Sequence, residues 1–126
     1  MKFKTEATRK EFDNELLKSD VRVMVYAIDG YVRHIFGLEL EITDVWYPKG
    51  AFNSETVVHE DWRGIDAVIR EATEAQIKKL KKWIRRTFVL AAKAMVPCVY
   101  HDSGTGLHLH CQTSVLPGIT IVRTTK

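Results

Sequence analysis

The sequence predicts an α+β domain in which a small antiparallel sheet packs with helices. Three observations carry that expectation. Apolar residues recur at three- and four-residue steps in two long stretches, one over residues 21–36 and one beginning at residue 73. Residues 38–43, Leu-Glu-Leu-Glu-Ile-Thr, alternate apolar and polar strictly, as a strand with one buried face does. Residues 98–101 and 107–113 are short strand-like runs on either side of Asp-Ser-Gly-Thr-Gly, a turn signal between antiparallel neighbours.

Taken in order, residues 5–18 read as a short amphipathic helix with Phe12, Leu16 and Leu17 on one side. Ser19 and Asp20 offer caps to a second helix, whose Val21, Met24, Ile28, Val32 and Ile35 share a face. The run Val21-Arg-Val-Met-Val also reads as a strand; helix is the favoured assignment, with Gly37 as its stop. After the strand at 38–43, a loop over about 47–58 carries Pro48, Gly50, Asn53 and Ser54, and residues 65–69 form a second short apolar strand. Thr73-Glu-Ala-Gln76 matches a capping box, in which the first and fourth side chains satisfy each other's backbone N–H groups. The long helix it starts buries Ile77, Leu80, Ile84, Phe88, Ala91 and Met95 and is stopped by Pro97. Its other face holds Lys78, Lys79, Lys81, Lys82, Arg85 and Arg86, read as solvated surface in preference to an anion site.

A chain of 126 residues is one domain, spanning 1–126, and is long enough to bury a core without disulfide or metal staples. Its 45% hydrophobic and 28% charged residues are ordinary for a globular protein, and its net charge of +3 is too small to argue for nucleic acid as a partner. No run approaches the roughly 20 apolar residues of a membrane span. The N-terminus leads into charge instead of the apolar segment of a secretory leader. Two cysteines, Cys98 and Cys111, are too few for a disulfide scaffold and lack metal-finger spacing.

The chemistry concentrates in two stretches, His59-Glu-Asp-Trp-Arg-Gly-Ile-Asp66 and His108-Leu-His110. A catalytic zinc takes three ligands from His and Asp/Glu and keeps a fourth position for water. His59, Asp66 and one histidine of the pair supply that set. His108 and His110 lie two apart in a strand, so both point to one face and Leu109 to the other. If the turn is a tight one centred on Gly104 and Thr105, His101 lies opposite His108 and Val99 opposite His110. The same register sets Cys98 opposite Cys111 on the far face, close enough to oxidise, although reduced packing is the favoured reading. His59 and Asp66, seven positions apart, would stand about 23 Å apart if extended, so sharing a metal requires a turn, which Gly64 permits.

Each piece alone is weak, since His-x-His in a strand is more often structural and His-x6-Asp recurs by chance. The combination carries the signal: three of the five histidines fall in the two stretches, His101 lies across the hairpin from them, and the fifth, His34, sits in a helix. Other chemistries fail. No His-Glu-x-x-His or Cys-x-x-Cys is present, Gly104-Thr-Gly106 is too short to cradle phosphate, and no serine sits in a nucleophile setting.

With these residues in place, the order of elements resembles the zinc peptidases that group lysostaphin-type enzymes, D-Ala-D-Ala carboxypeptidases and the Hedgehog signalling domain. Residues 54–66 look like that group's Ser-x-His-x-x-Gly-x-Ala-x-Asp region. Residues 99–111, ending His-Leu-His-Cys, look like the corresponding Hedgehog segment, cysteine included. The resemblance spans residues 38–115. It implies a Hedgehog/D-Ala-D-Ala peptidase-like fold with Zn2+ held by His59, Asp66 and His110, His108 steadying the oxyanion, and Asp102 in the place of the general base. It also implies a peptidoglycan stem-peptide substrate and a phage lytic type of enzyme, cytoplasmic until released or phage-associated, with no nucleic-acid partner. The alternative within the same group is a catalytically silent Hedgehog-like zinc module that binds a partner or cell-wall ligand. Three departures stand out. Trp62 takes the place of the usual glycine after His59, Asp102 is one methylene shorter than the expected glutamate, and no arginine stands in residues 43–47, leaving Arg63 as a weak substitute for gripping substrate.

Overall fold

The computed structural model describes residues 1–46, 62–90, 98–102, 107–113 and 119–121. Their order is β1 (Lys2–Phe3), α1 (Glu6–Phe12), α2 (Ser19–Tyr31), β2 (Glu41–Asp44), β3 (Gly64–Val68), α3 (Glu74–Thr87), β4 (Phe88–Leu90), β5 (Cys98–Asp102), β6 (Leu107–Gln112) and β7 (Ile119–Ile121). The chain is α+β, as expected, but the sheet is mixed. Five strands run in the order β1-β2-β3-β6-β5, all neighbours antiparallel except β1 with β2, and β4 pairs with β7 in a separate two-stranded sheet. The all-antiparallel expectation fails at β1, whose two residues are too short for any periodic signal. The crossover through α1 and α2 returns the chain in the same direction beside it.

Helix α1 starts where the Thr5 side chain accepts from the Thr8 N–H at 3.1 Å. It stops at Phe12, short of the expected residue 18, because Asn14 competes for the backbone. Its side-chain oxygen accepts from the Leu16 N–H at 2.8 Å and its carbonyl accepts from Leu17. The turn buries Phe12 and Leu17 and leaves Leu16 59% exposed, contrary to the expected face. In α2 the helical reading of 21–25 holds, with Val21, Met24, Val25 and Ile28 buried. A π-helical turn, Val32–Phe36, extends it and widens its last step. The phase of the apolar stripe slips there, so Val32 stays buried while Ile35 is turned out. Gly37 ends the helix at φ 67°, a left-handed conformation that suits a residue without Cβ, and its N–H reaches the Arg33 carbonyl.

The capping box forms as read: the Thr73 N–H donates to Gln76 Oε1 at 2.9 Å and the Gln76 N–H to Thr73 Oγ1 at 3.1 Å. The helix behind it ends at Thr87, ten residues before Pro97. Phe88-Val89-Leu90 is β-branched and aromatic and finds Ile119-Thr120-Ile121 as a partner, so strand pairing overrides the helical period. Phe88 still enters the core, while Ala91 and Met95 lie outside the described residues. Lys78, Lys79, Lys82, Arg85 and Arg86 are exposed, in keeping with a solvated face. Among the described residues no helix is long and apolar enough to cross a membrane.

One face of the five-stranded sheet is the core. Ile42, Ile65, Ala67, Leu109, Cys98 and Cys111 join the buried residues of α2 and α3 in a single cluster, with α2 against β3 and β6. At one end of the β2–β3 pair, Arg70 donates Nε and Nη2 to the two Glu41 oxygens at 2.9 and 2.8 Å. Hydrogen bonding from Arg70, against the opposing effect of burial and helped by its charge and those of Lys2 and Lys4, holds the Glu41 carboxyl below the usual carboxylate range. A depressed carboxylate pKa contributes stability above its unfolded value of about 4.3 and loses it as pH falls through the folded value. Thermal midpoints measured from pH 7 to pH 3 should therefore fall more steeply in the wild type than in Arg70→Ala. The difference is small because the arginine is exposed. Parallel curves would remove the pair from the acid response.

Candidate metal centre

The opposite face of the same strands carries the polar cluster. Strand β3 sits at the middle of the sheet, and its Asp66 is paired with His110 of β6, so both side chains stand on one side. His108 joins them by two-residue alternation, and the intervening Leu109 is fully buried on the core side. Asp66 Oδ1 lies 2.8 Å from His110 Nδ1 and 3.5 Å from His108 Nε2. One donor atom from each of the three falls within 4.8 Å of the others, and the three residues are 1%, 3% and 4% exposed for Asp66, His110 and His108. A buried carboxylate costs several kcal/mol to desolvate unless it is paired or coordinates a cation. Here it faces two imidazoles.

Gln112, two residues beyond His110 on the same face, brings its Oε1 to 3.0 Å from His110 Nε2. If Nε2 donates to that amide oxygen, Nδ1 is the ring nitrogen that faces Asp66. An outer hydrogen bond of this kind is what fixes the tautomer of a metal-ligating histidine. One carboxylate oxygen and two imidazole nitrogens suit zinc and other first-row divalent ions. The 3.5 Å between Asp66 Oδ1 and His108 Nε2 matches two ligands of a tetrahedral ion at about 2.1 Å, whose spacing is roughly 3.4 Å, whereas the 2.8 Å between Asp66 Oδ1 and His110 Nδ1 is a hydrogen-bond distance. The described residues thus contain a buried Asp66, His108 and His110 cluster that could hold a metal ion.

Of the residues expected at the site, Asp66, His108 and His110 come together, and His59 lies outside the described residues. Asp102 ends β5, paired with Leu107, and its register position is in line with Tyr100, whereas His101 pairs with His108. Arg63 is buried and donates Nη1 to the Thr113 carbonyl at 3.0 Å, while its own carbonyl accepts from the Thr113 N–H at 2.9 Å. That is a clasp between the start of β3 and the end of β6. Cys98 and Cys111 stand opposite each other as the register predicts, both free and buried, with Sγ atoms 2.7 Å apart. Burial pushes the Cys98 thiol up, which keeps it from reacting as a thiolate.

Sequence reasoning missed three features. Gln112 carried a legible signal, since a polar residue at the second position after His110 shares its face. The bulge in β2, which brings Asp44 opposite Asp66 one residue out of step with Ile42 and Ala67, had none. The third is Trp62, which sits at φ 57° and stacks on Trp46 with centroids 5.8 Å apart and planes at 20°. A left-handed conformation costs a residue with a Cβ about 1–2 kcal/mol, so tryptophan here occupies the backbone geometry glycine would take without cost. A cleft of about 660 Å³ between α3 and β5, lined by Ala75, Lys78, Lys81 and Tyr100 among others, contains no member of the cluster. No family model, curated protein or solved structure matches this chain.

Proposed function

We propose that this chain is a zinc-dependent peptidase acting on peptidoglycan stem peptides. The observation that carries the proposal is the buried Asp66 carboxylate shared by two imidazoles, with the far nitrogen of His110 tied to Gln112. Zinc bound at such a site supplies Lewis acidity toward a scissile carbonyl and lowers the pKa of water. The chain's own residues divide the remaining work. Asp66 and His110 would hold the ion together with His59, and the Gln112 hydrogen bond would keep the His110 ring from turning. The resemblance alone would make Asp102 the acceptor of a water proton, since its register in line with Tyr100 sets it on the face opposite the cluster, and His108 would donate a hydrogen bond to the oxygen on which negative charge develops.

A second reading, a silent zinc module that binds a partner, is favoured by the depth of the cluster. All three residues are 4% exposed or less, and closed four-ligand sites are structural where open three-ligand sites are catalytic. The two readings assign His108 differently, as an oxyanion donor in the first and as a fourth ligand in the second. The test is metal content and release of new amino termini from peptidoglycan fragments, measured on the wild type, His59→Ala and His108→Ala. The peptidase reading expects stoichiometric zinc and hydrolysis in the wild type and metal loss in His59→Ala. It expects His108→Ala to keep its zinc and lose activity about 100-fold or more. Zinc lost from both variants, with no hydrolysis by the wild type, selects the silent module. A wild-type protein that takes up no metal sinks both.

A further inference from the structure

Outside the cluster, the most unusual surface feature is the tryptophan pair. Trp62 packs partly against the core and its carbonyl accepts from the Lys18 N–H at 3.0 Å, so its ring is held in place from below. Trp46 lies over it, 37% exposed. The left-handed backbone at Trp62 shows that the stack is kept at a conformational cost, the kind of cost that collects at functional sites.

The surroundings of the stack narrow what it could bind. The Trp46 N–H donates to Glu11 Oε1 at 3.3 Å. Burial pushes the Glu11 carboxyl up, the Trp46 hydrogen bond acts the other way, and the Asp44 carboxylate lies near enough to add to the rise. A flat aromatic surface bordered by two carboxylates repels phosphate-bearing ligands, which excludes a nucleic-acid strand stacked by its bases. A wholly apolar partner would bury those carboxylates without replacing their hydration. A neutral, polyhydroxylated ring satisfies both demands, its C–H face against the indole and its hydroxyls donating to Glu11 and Asp44.

The position is equally specific. Trp46 is two residues beyond Asp44, and Trp62 four residues before Asp66. Asp44 and Asp66 are paired across β2 and β3, so the stack stands at the end of the strand pair that carries the cluster's carboxylate.

We infer that Trp46 and Trp62, bordered by Glu11 and Asp44, form a pyranose-binding subsite that grips a neutral glycan chain at the end of the β2–β3 strand pair. The inference rests on the peptidoglycan reading and adds a sugar-chain subsite to it. The choice of glycan follows from the aromatic and carboxylate surface, and binding does not require the metal.

The test is titration of the full chain with chitotetraose, a neutral β1,4-linked N-acetylglucosamine tetramer, in the presence of EDTA. Tryptophan fluorescence and the indole N–H signals of the two residues report binding. The expected result is saturable binding, weakened about tenfold or more in Trp46→Ala and within about threefold of wild type in Trp46→Tyr, with circular dichroism unchanged in both. No binding at millimolar sugar, or binding indifferent to Trp46→Ala, overturns the subsite. So does displacement of the sugar by oligothymidylate at the same tryptophans. Glycan binding without any peptide hydrolysis leaves the subsite standing and removes the peptidase reading; hydrolysis without glycan binding does the reverse.

Discussion

Asp66→Ala should abolish stoichiometric metal binding and lower the stability of the protein by about 3 kcal/mol, a shift in Tm on the order of 10 °C for a domain of this size. The size of the effect follows from what remains behind. Asp66 is 1% exposed and its Oδ1 serves His110 at 2.8 Å and His108 at 3.5 Å, so its removal leaves two enclosed imidazoles without the carboxylate that compensates their burial. Asp66→Asn keeps the shape and one acceptor but not the charge. It should fold with roughly half the loss and bind metal as poorly as the alanine variant. Metal analysis with thermal unfolding on both variants separates the two contributions, because the fold responds to the acceptor and the ion to the charge. An Asp66→Ala protein that melts like the wild type and retains its metal would place the ion elsewhere.

Leu109→Ala should cost about 2–5 kcal/mol, read from the denaturant midpoint with the m-value unchanged. Leu109 is fully buried on the interior strand β6, between the two histidines of the cluster, and its side chain belongs to the core that Ile65, Ala67 and Cys111 share. Truncation leaves a cavity next to rigid strands that cannot collapse far into it. Leu16→Ala is the control: at 59% exposure its loss should stay within about 0.5 kcal/mol. Equal effects at the two positions would contradict the assignment of faces. Because one strand delivers its leucine to the core and its histidines to the other side, the packing of Leu109 is also what holds His108 and His110 in line. Leu109→Ala should accordingly weaken metal binding even where the fold survives.

Several elements were legible because their causes are local. The capping box at Thr73 and Gln76 depends on four consecutive residues, and both of its hydrogen bonds form. Gly37 stops its helix because a left-handed residue without Cβ is the least costly way to end one. The hairpin register, with Cys98 opposite Cys111 and His101 opposite His108, is the one a tight connection between the two runs would give. The elements that were misread depend on distant partners. Phe88-Val89-Leu90 continues a helical period until Ile119-Thr120-Ile121 pairs with it. The two-residue β1 exists only because β2 lies beside it, and Leu16 and Ile35 left their expected faces through an Asn14 turn and a π-helical turn that the apolar spacing does not encode.

The sequence by itself determined the α+β class, the two-residue spacing that sets His108 and His110 on one face, and the identity of Asp66 as the acidic residue that meets them. These rest on residue type and on the period of a strand, which are properties of short segments. Only the tertiary structure decided that β3 runs beside β6 in the register pairing Asp66 with His110, that the cluster is closed to solvent, and that Gln112 orients its ring. Only it brought Trp46 onto Trp62. Those outcomes come from pairing strands far apart in the chain, where the burial of Ile65, Ala67 and Leu109 on one face selects the alignment and the polar cluster on the other face follows from it.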